Sequence, residues 1–268
     1  MKTYQFAYGS GTVEFPLEEK NIIGELHGNV VEPISDIRKE LWASLDAPID
    51  SAPLCRRVTP GSTVALVVSD MSRFWMRQDL VVPHLVDYLT QRCGVRERDI
   101  TIVIANGTHT GGDEAELRTL VTDAVYDRIT VENHNCESED LVYLGTTPHG
   151  TPVSINRTAA LADMVICLGA ATHHVMAGFG GGRKSILPGI SGRETIFHNH
   201  AFSLDAASLR SNPAVGNGIL QGNPLHEDMC EAAGLVKNLF MVNLVMNTQM
   251  RLAAIFSGHY LTSWEQAC

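Results

Sequence analysis

The chain has no paired cysteines, no apolar run of membrane length, no signal-type N-terminus and no surplus of basic charge. Its six cysteines (Cys55, Cys93, Cys136, Cys167, Cys230 and Cys268) are scattered, without a Cys-x-x-Cys pair. That excludes a disulfide framework and a cysteine-based structural zinc site. No apolar stretch approaches bilayer-spanning length, and Met1-Lys-Thr-Tyr-Gln-Phe6 lacks an apolar signal core, so a reducing cytoplasm is the expected address. Lys and Arg total 20 against 30 Asp and Glu, a net charge of -10. Nucleic acids and acidic membrane surfaces need the opposite balance, so neither is an expected partner. Internal repeats and low-complexity tracts are also missing. The 268 residues suffice for one large α/β domain or two small ones with a buried core.

What is present is a set of apolar runs separated by helical patterns. Residues 2–15 alternate around Gly9-Ser-Gly11 and predict a β-hairpin. Ser35 to Leu45 reads as a helix, with Ser35 as N-cap and Ile37, Leu41 and Leu45 on one face. Residues 63–68, 100–104 and 164–168 are apolar throughout, which predicts strands buried on both faces and makes Cys167 a buried thiol. Between the first two, Asp79 to Arg92 forms a helical pattern carrying Leu85, Val86 and Leu89. Pro83 fits it only in the first turn, and Gly94 ends it. The expected fold class is α/β, a mainly parallel sheet flanked by helices, with the N-terminal hairpin in addition. Two more strands, Phe240–Met246 and Leu252–Phe256, join through a turn at Asn247-Thr248. A last helix near Ser263 is a single turn with nothing to pack against, so the chain reads as part of a longer protein.

Ligands of parallel sheets bind beyond the carboxyl ends of the strands. Just past the three central strand ends lie Asp70-Met-Ser-Arg73, Asn106-Gly-Thr-His109 and Thr172-His173-His174. Ionisable groups therefore gather on one sheet edge, the expected place of an active site.

The segment His173 to Gly189 and the nearby His198-Asn-His200 carry the most chemistry. Glycine-rich backbone costs conformational entropy on folding and packs nothing, so it is expected where a ligand approaches closely. Gly178-Phe-Gly-Gly-Gly-Arg-Lys184-Ser185 is one residue from the phosphate-loop pattern, with Arg183 in place of glycine. Pro188-Gly189 interrupts the long helix that pattern requires, which argues against an NTPase. His198 and His200 have metal-ligand spacing suited to nickel, zinc or copper, and a zinc-dependent hydrolase using both is one alternative. His109 and His174, each past a different strand end, suit acid–base work near neutrality. Arg73 could hold a carboxylate bidentately or pair with Asp70. Lys184 beside Arg183 should lose its proton easily and act as a nucleophile.

Taken together these residues resemble the lactate racemase family, whose members use a nickel-pincer nucleotide. The resemblance runs from about residue 63 onward through Asp70-Met-Ser-Arg73, Gly107-Thr-His109 with its acidic helix, His174 to Gly189, and Asn199-His200. It implies a racemase or epimerase that inverts the C2 centre of a 2-hydroxy acid by hydride transfer to the cofactor. Lys184 would hold the nucleotide covalently, with Asp70, Gly181 and Gly182 beside it, and His200 would be the protein ligand of nickel. His109 and His174 would be the acid–base pair, and Arg73 would lie at the substrate. His173 and His198 match no role in the family.

Lactate-specific members carry proline where this chain has Arg183, which implies a different, larger or more acidic 2-hydroxy acid. Family members also continue into a second domain that closes the site. Residues 1–268 therefore correspond to the cofactor-carrying N-terminal domain, which is expected to need the second domain for turnover. A cofactor-free binding or regulatory module of the same fold is the other alternative.

Overall fold

A computed structural model describes residues 1–268. The chain divides into two units, Met1–Val31 and Glu32–Cys268. In the first, strands Lys2–Tyr8 and Gly11–Leu17 pair antiparallel, with Phe6 opposite Val13 and Tyr4 opposite Phe15. Gly9, at φ 58, supplies the left-handed position of the tight turn. The expected hairpin is present.

In the second unit six strands form one sheet: β1 (Val64–Ser69), β2 (Ile100–Ala105), β3 (Thr130–Asn133), β4 (Met164–Ala170), β5 (Leu239–Met246) and β6 (Leu252–Gly258). Their order is β6-β5-β4-β1-β2-β3, parallel at every pairing except the β5–β6 hairpin. Successive side chains leave a strand on opposite faces. Leu66, Val68, Ile102, Ile104, Ile166 and Leu168 accordingly enter one core, and Ala65, Val67, Val103, Val165 and Cys167 the other. Each fully buried branched side chain contributes about 1.5–3 kcal/mol, which is why the strands read as unbroken apolar runs.

Helix α1 (Ile37–Asp46) buries Leu41 and Leu45 as expected. Its N-cap is Asp36 rather than Ser35, because Asp36 Oδ1 accepts from the Lys39 amide at 3.0 Å. The 79–92 pattern is broken into a 3-10 turn (Gln78–Leu80), helix α2 (Val82–Asp87) and a π turn (Tyr88–Arg92). Pro83, in the first turn of α2, has no N–H for the Asp79 carbonyl, so the preceding turn cannot run into the helix. Gly94, at φ 72, turns the chain away, as the sequence predicts.

Four more helices matter for the site: α3 (Glu114–Val121), α4 (Arg193–Ala201), α5 (Pro224–Gly234) and α6 (Thr262–Ala267). The expectation that α6 has nothing to pack against is wrong. Trp264 is fully buried, its Nε1 donates to the Gly180 carbonyl at 2.7 Å, and the Arg183 guanidinium lies 3.8 Å from its ring centroid. All six cysteines are free thiols, and no helix is long and apolar enough to cross a membrane.

From β1 the chain runs outward to β2 and β3, whereas from β4 it runs the other way to β5 and β6. A crevice opens at such a reversal, beyond the carboxyl ends of the two central strands.

Candidate functional site

A cavity of 340 Å³ occupies that crevice, lined by residues past the ends of β1, β2 and β4 and by the glycine-rich segment. Asp70, Arg73, His109, His174, Lys184 and His200 all line it. The topology thus brings together groups spread over 130 positions, from 70 to 200.

Asp70 follows β1 directly. Its Oδ1 accepts from Ser72 Oγ at 2.6 Å, and its Oδ2 lies 2.5 Å from His109 Nδ1. Arg73 does not pair with Asp70. Its Nη1 donates to Ser72 Oγ at 3.0 Å and to the Ser72 carbonyl at 3.3 Å, so the guanidinium holds no carboxylate of the protein. Past β2, Asn106 Nδ2 donates to Asn133 Oδ1 and the His134 carbonyl, clamping the β2 and β3 ends together. The Gly107 amide donates to the Gly189 carbonyl at 2.9 Å, which ties the His109 loop to the glycine-rich segment.

His174 lies past β4, half-buried, with Nδ1 accepting from the Met176 and Ala177 amides at 3.2 and 3.1 Å. Burial first, and then the neighbouring Lys184, Arg73, Arg183 and His200, push its pKa down to about 4. Lys184 sits in the 3-10 turn Gly182–Ser185. It lines the cavity and is largely surrounded by protein. Desolvation, then Arg183 and Arg73, lower its pKa to about 7, so its amine is substantially neutral near pH 7. The sequence points to Arg183 and the donor-rich loop around Lys184; burial is the larger cause.

Gly181 lines the cavity at φ 69, and a Cβ there would come 2.7 Å from the Ala170 carbonyl oxygen. Gly182, expected beside it on the cofactor side, does not line the cavity. A Cβ on Gly182 would come 2.5 Å from the Trp264 ring, so this glycine serves the packing of α6.

His200 projects from α4 with Nδ1 donating to the Ile196 carbonyl at 3.0 Å, which leaves Nε2 as its free nitrogen. A metal-binding histidine has this outer bond, because the carbonyl fixes the ring and its tautomer. Burial and Lys184 lower the pKa of His200, which keeps that nitrogen unprotonated. His198, two residues away on the helix and so roughly 200° around it, faces elsewhere. Its Nδ1 meets Thr151 Oγ1 at 3.2 Å. The two histidines cannot share one ion, and the zinc-hydrolase alternative loses its ligand pair. A second group of metal-type side chains, His149, Asp228 and Glu231, does not line this cavity. Its Asp228 carboxylate is already used by Thr147, Thr151 and Asn199.

His173 stacks on Phe179 at 4.7 Å, and Arg183 is buried away from the cavity. Any influence of Arg183 on substrate choice is therefore indirect. The sequence reading missed the part played by Trp264, because it lies in no recognisable motif and acts through a contact distant in sequence.

Residues 8–211 match the family described as the lactate racemase N-terminal domain. Over 262 residues the chain is 29% identical to the lactate racemase of Thermoanaerobacterium thermosaccharolyticum, covering 97% of this chain and 60% of that protein. Over 271 residues it is 27% identical to the lactate racemase of Lactiplantibacillus plantarum, covering 100% of this chain and 62% of that one. The chain thus spans about three fifths of the length of the curated relatives it matches.

Among solved structures, the lactate racemase apoprotein of T. thermosaccharolyticum superposes with a TM-score of 0.85 at 26% identity, over 100% of this chain and 61% of that one. A protein from Thermotoga maritima shares the fold at a TM-score of 0.64 and 20% identity, over 87% of this chain and 57% of that one.

Proposed function

The chain belongs to the lactate racemase N-terminal domain family, and on that premise we propose that it carries the cofactor of a 2-hydroxy-acid racemase or epimerase. In this reading residues 1–268 are the N-terminal domain of a two-domain protein, and a lysine-tethered nickel-pincer nucleotide occupies the cavity. The carrying observation is the convergence of Lys184, His200, the His109–Asp70 pair and His174 on one 340 Å³ space.

The residues present fit such a group. Lys184 offers an amine that is neutral enough to form a covalent link at neutral pH. His200 offers a free Nε2 with its ring fixed by the Ile196 carbonyl. Gly181 presents bare backbone to the cavity wall. When bound, the group would supply a hydride acceptor and donor at the substrate carbon; the organic and metal chemistry is its own.

The protein contributes orientation and proton handling. Arg73, with no carboxylate partner, is free to hold the carboxylate of the hydroxy acid through its two-pronged guanidinium. His109 takes the hydroxyl proton at Nε2, and Asp70 stabilises the imidazolium that results. His174 meets the second proton position. Inversion at a carbon that becomes planar needs proton handling on both faces, which accounts for two histidines in place of one.

The test uses full-length protein produced together with the enzymes that make the cofactor. Single enantiomers of 2-hydroxy acids of increasing size and charge are incubated with it, and the products are resolved by chiral chromatography. The reading expects the opposite C2 configuration to build up from at least one of them. Loaded protein that leaves every enantiomer unchanged would remove the hydroxy-acid reading.

A further inference from the structure

The two cavity histidines are held by opposite kinds of partner. His109 Nδ1 faces the Asp70 carboxylate, which only accepts, so in the neutral ring Nδ1 carries the proton and Nε2 the lone pair. His174 Nδ1 faces two backbone N–H groups, of Met176 and Ala177, which only donate. That nitrogen must present its lone pair, so the proton of the neutral His174 ring lies on Nε2.

The peptide that carries the Ala177 amide is held directly from outside the cavity through its Met176 carbonyl, and the turn that follows is held through the Ala177 and Phe179 carbonyls. The Met176 carbonyl accepts from Asn223 Nδ2 at 2.8 Å. The Ala177 and Phe179 carbonyls accept from Arg183 Nη2 and Nη1 at 2.6 and 2.9 Å. Both clamping side chains are buried, Asn223 at 0% and Arg183 at 1% exposure, and neither lines the cavity. Arg183 has no carboxylate partner. Its remaining nitrogen, Nε, donates to His226 Nδ1 at 3.1 Å, and its face lies over Trp264. A buried cation without a counter-ion is a costly way to fill space. The two-pronged fork on the Ala177 and Phe179 carbonyls is what an apolar side chain could not supply.

We propose that Asn223 and Arg183 are positioning residues that fix His174 as an Nε2–H donor, inequivalent to His109, whose Nε2 accepts. The consequence for the reaction rests on the hydroxy-acid reading above: the neutral His174 enters as hydrogen-bond donor and His109 as base. The tautomer itself does not depend on that reading.

The test is long-range proton–nitrogen correlation NMR on the purified chain labelled with ¹⁵N-histidine, with His174 assigned through a His174→Gln spectrum. In the native chain, His174 should show a pyridine-type Nδ1 and a pyrrole-type Nε2, and His109 the reverse. Asn223→Ser keeps an oxygen to cap α5, where Asn223 Oδ1 now accepts from the His226 amide at 3.3 Å, but removes the Nδ2 amide that donates to Met176. Arg183→Met removes the fork, and Arg183→Lys, which keeps the charge without the fork, replaces it if the methionine variant does not fold. Each folded variant should turn the single His174 pattern into a mixture of both tautomers. A merely structural role would lower the melting temperature and leave the nitrogen pattern intact. A native His174 protonated on Nδ1 overturns the tautomer assignment, and an unchanged pattern in the folded variants overturns the positioning role. Because no cofactor or substrate is used, neither result can be confused with failure of the racemase reading.

Discussion

His109 and Asp70 stand 39 positions apart in sequence and meet through Nδ1 and Oδ2 at 2.5 Å. The carboxylate fixes the ring and stabilises the charge it gains on taking a proton. Asp70→Asn preserves the shape and removes that charge. Racemisation by the loaded full-length protein should fall by about 10²- to 10⁴-fold, the usual weight of general acid–base catalysis. The rates are compared at equal covalent loading of Lys184. Chiral product assays alongside intact mass check both, and a near-native rate would take the pair out of the chemistry.

Lys184 has a folded-state pKa of about 7, lowered from 10.5 chiefly by burial. Between these values the unfolded chain binds more protons than the folded one, so stability rises with pH across that window. Lys184→Met removes the penalty of burying the ammonium. The variant should be more stable than the native protein by roughly 1–3 kcal/mol at pH 6, less than full burial would give because Lys184 lines a cavity. The gain should shrink as pH approaches 10. Thermal melts across this range test it, and a gain that stays constant or grows with pH would show that Lys184 is not held neutral.

Gly182 meets the Trp264 ring and adopts φ 53, a backbone region strained for any L side chain. Gly182→Ala should therefore cost about 1–3 kcal/mol, the usual cost of overpacking a filled core. Denaturant midpoints measure this. A neutral effect would mean that α6 does not pack under the glycine loop.

Much of this arrangement is legible in the sequence, and the reasons are local. Strands β1, β2 and β4 are apolar on both faces, so their runs stand out. Asp70, Asn106, His109, Thr172 and His174 follow strand ends within a few residues, and counting from those ends places them. Gly181 and Gly182 show the limit. Adjacent glycines read alike, yet one meets the Ala170 backbone and the other a tryptophan 82 positions away. Trp264 and Gly180 lie 84 positions apart, and Asn223 and Met176 lie 47 apart. No periodicity or motif encodes such pairs. The cap of α1 at Asp36 is a subtler case, since Ser35 and Asp36 are both good caps and only the reach to the Lys39 amide separates them.

His198 and His200 share a helix but not a direction, and only His200 lines the cavity. His200→Ala should lower nickel retained per chain by at least about tenfold, the scale on which metal sites respond to a lost supporting group. His198→Ala should leave it unchanged. Metal analysis of the two variants, purified side by side, gives the answer. Equal losses would contradict the geometry of α4.

The most direct test of the central claim is peptide-level mass spectrometry with nickel analysis, on full-length protein made in cells that synthesise the cofactor. The account predicts one nucleotide-derived adduct, mapped to Lys184, with stoichiometric nickel, and loss of both in Lys184→Ala. Protein from the same cells with an unmodified Lys184 and no bound nickel would contradict it.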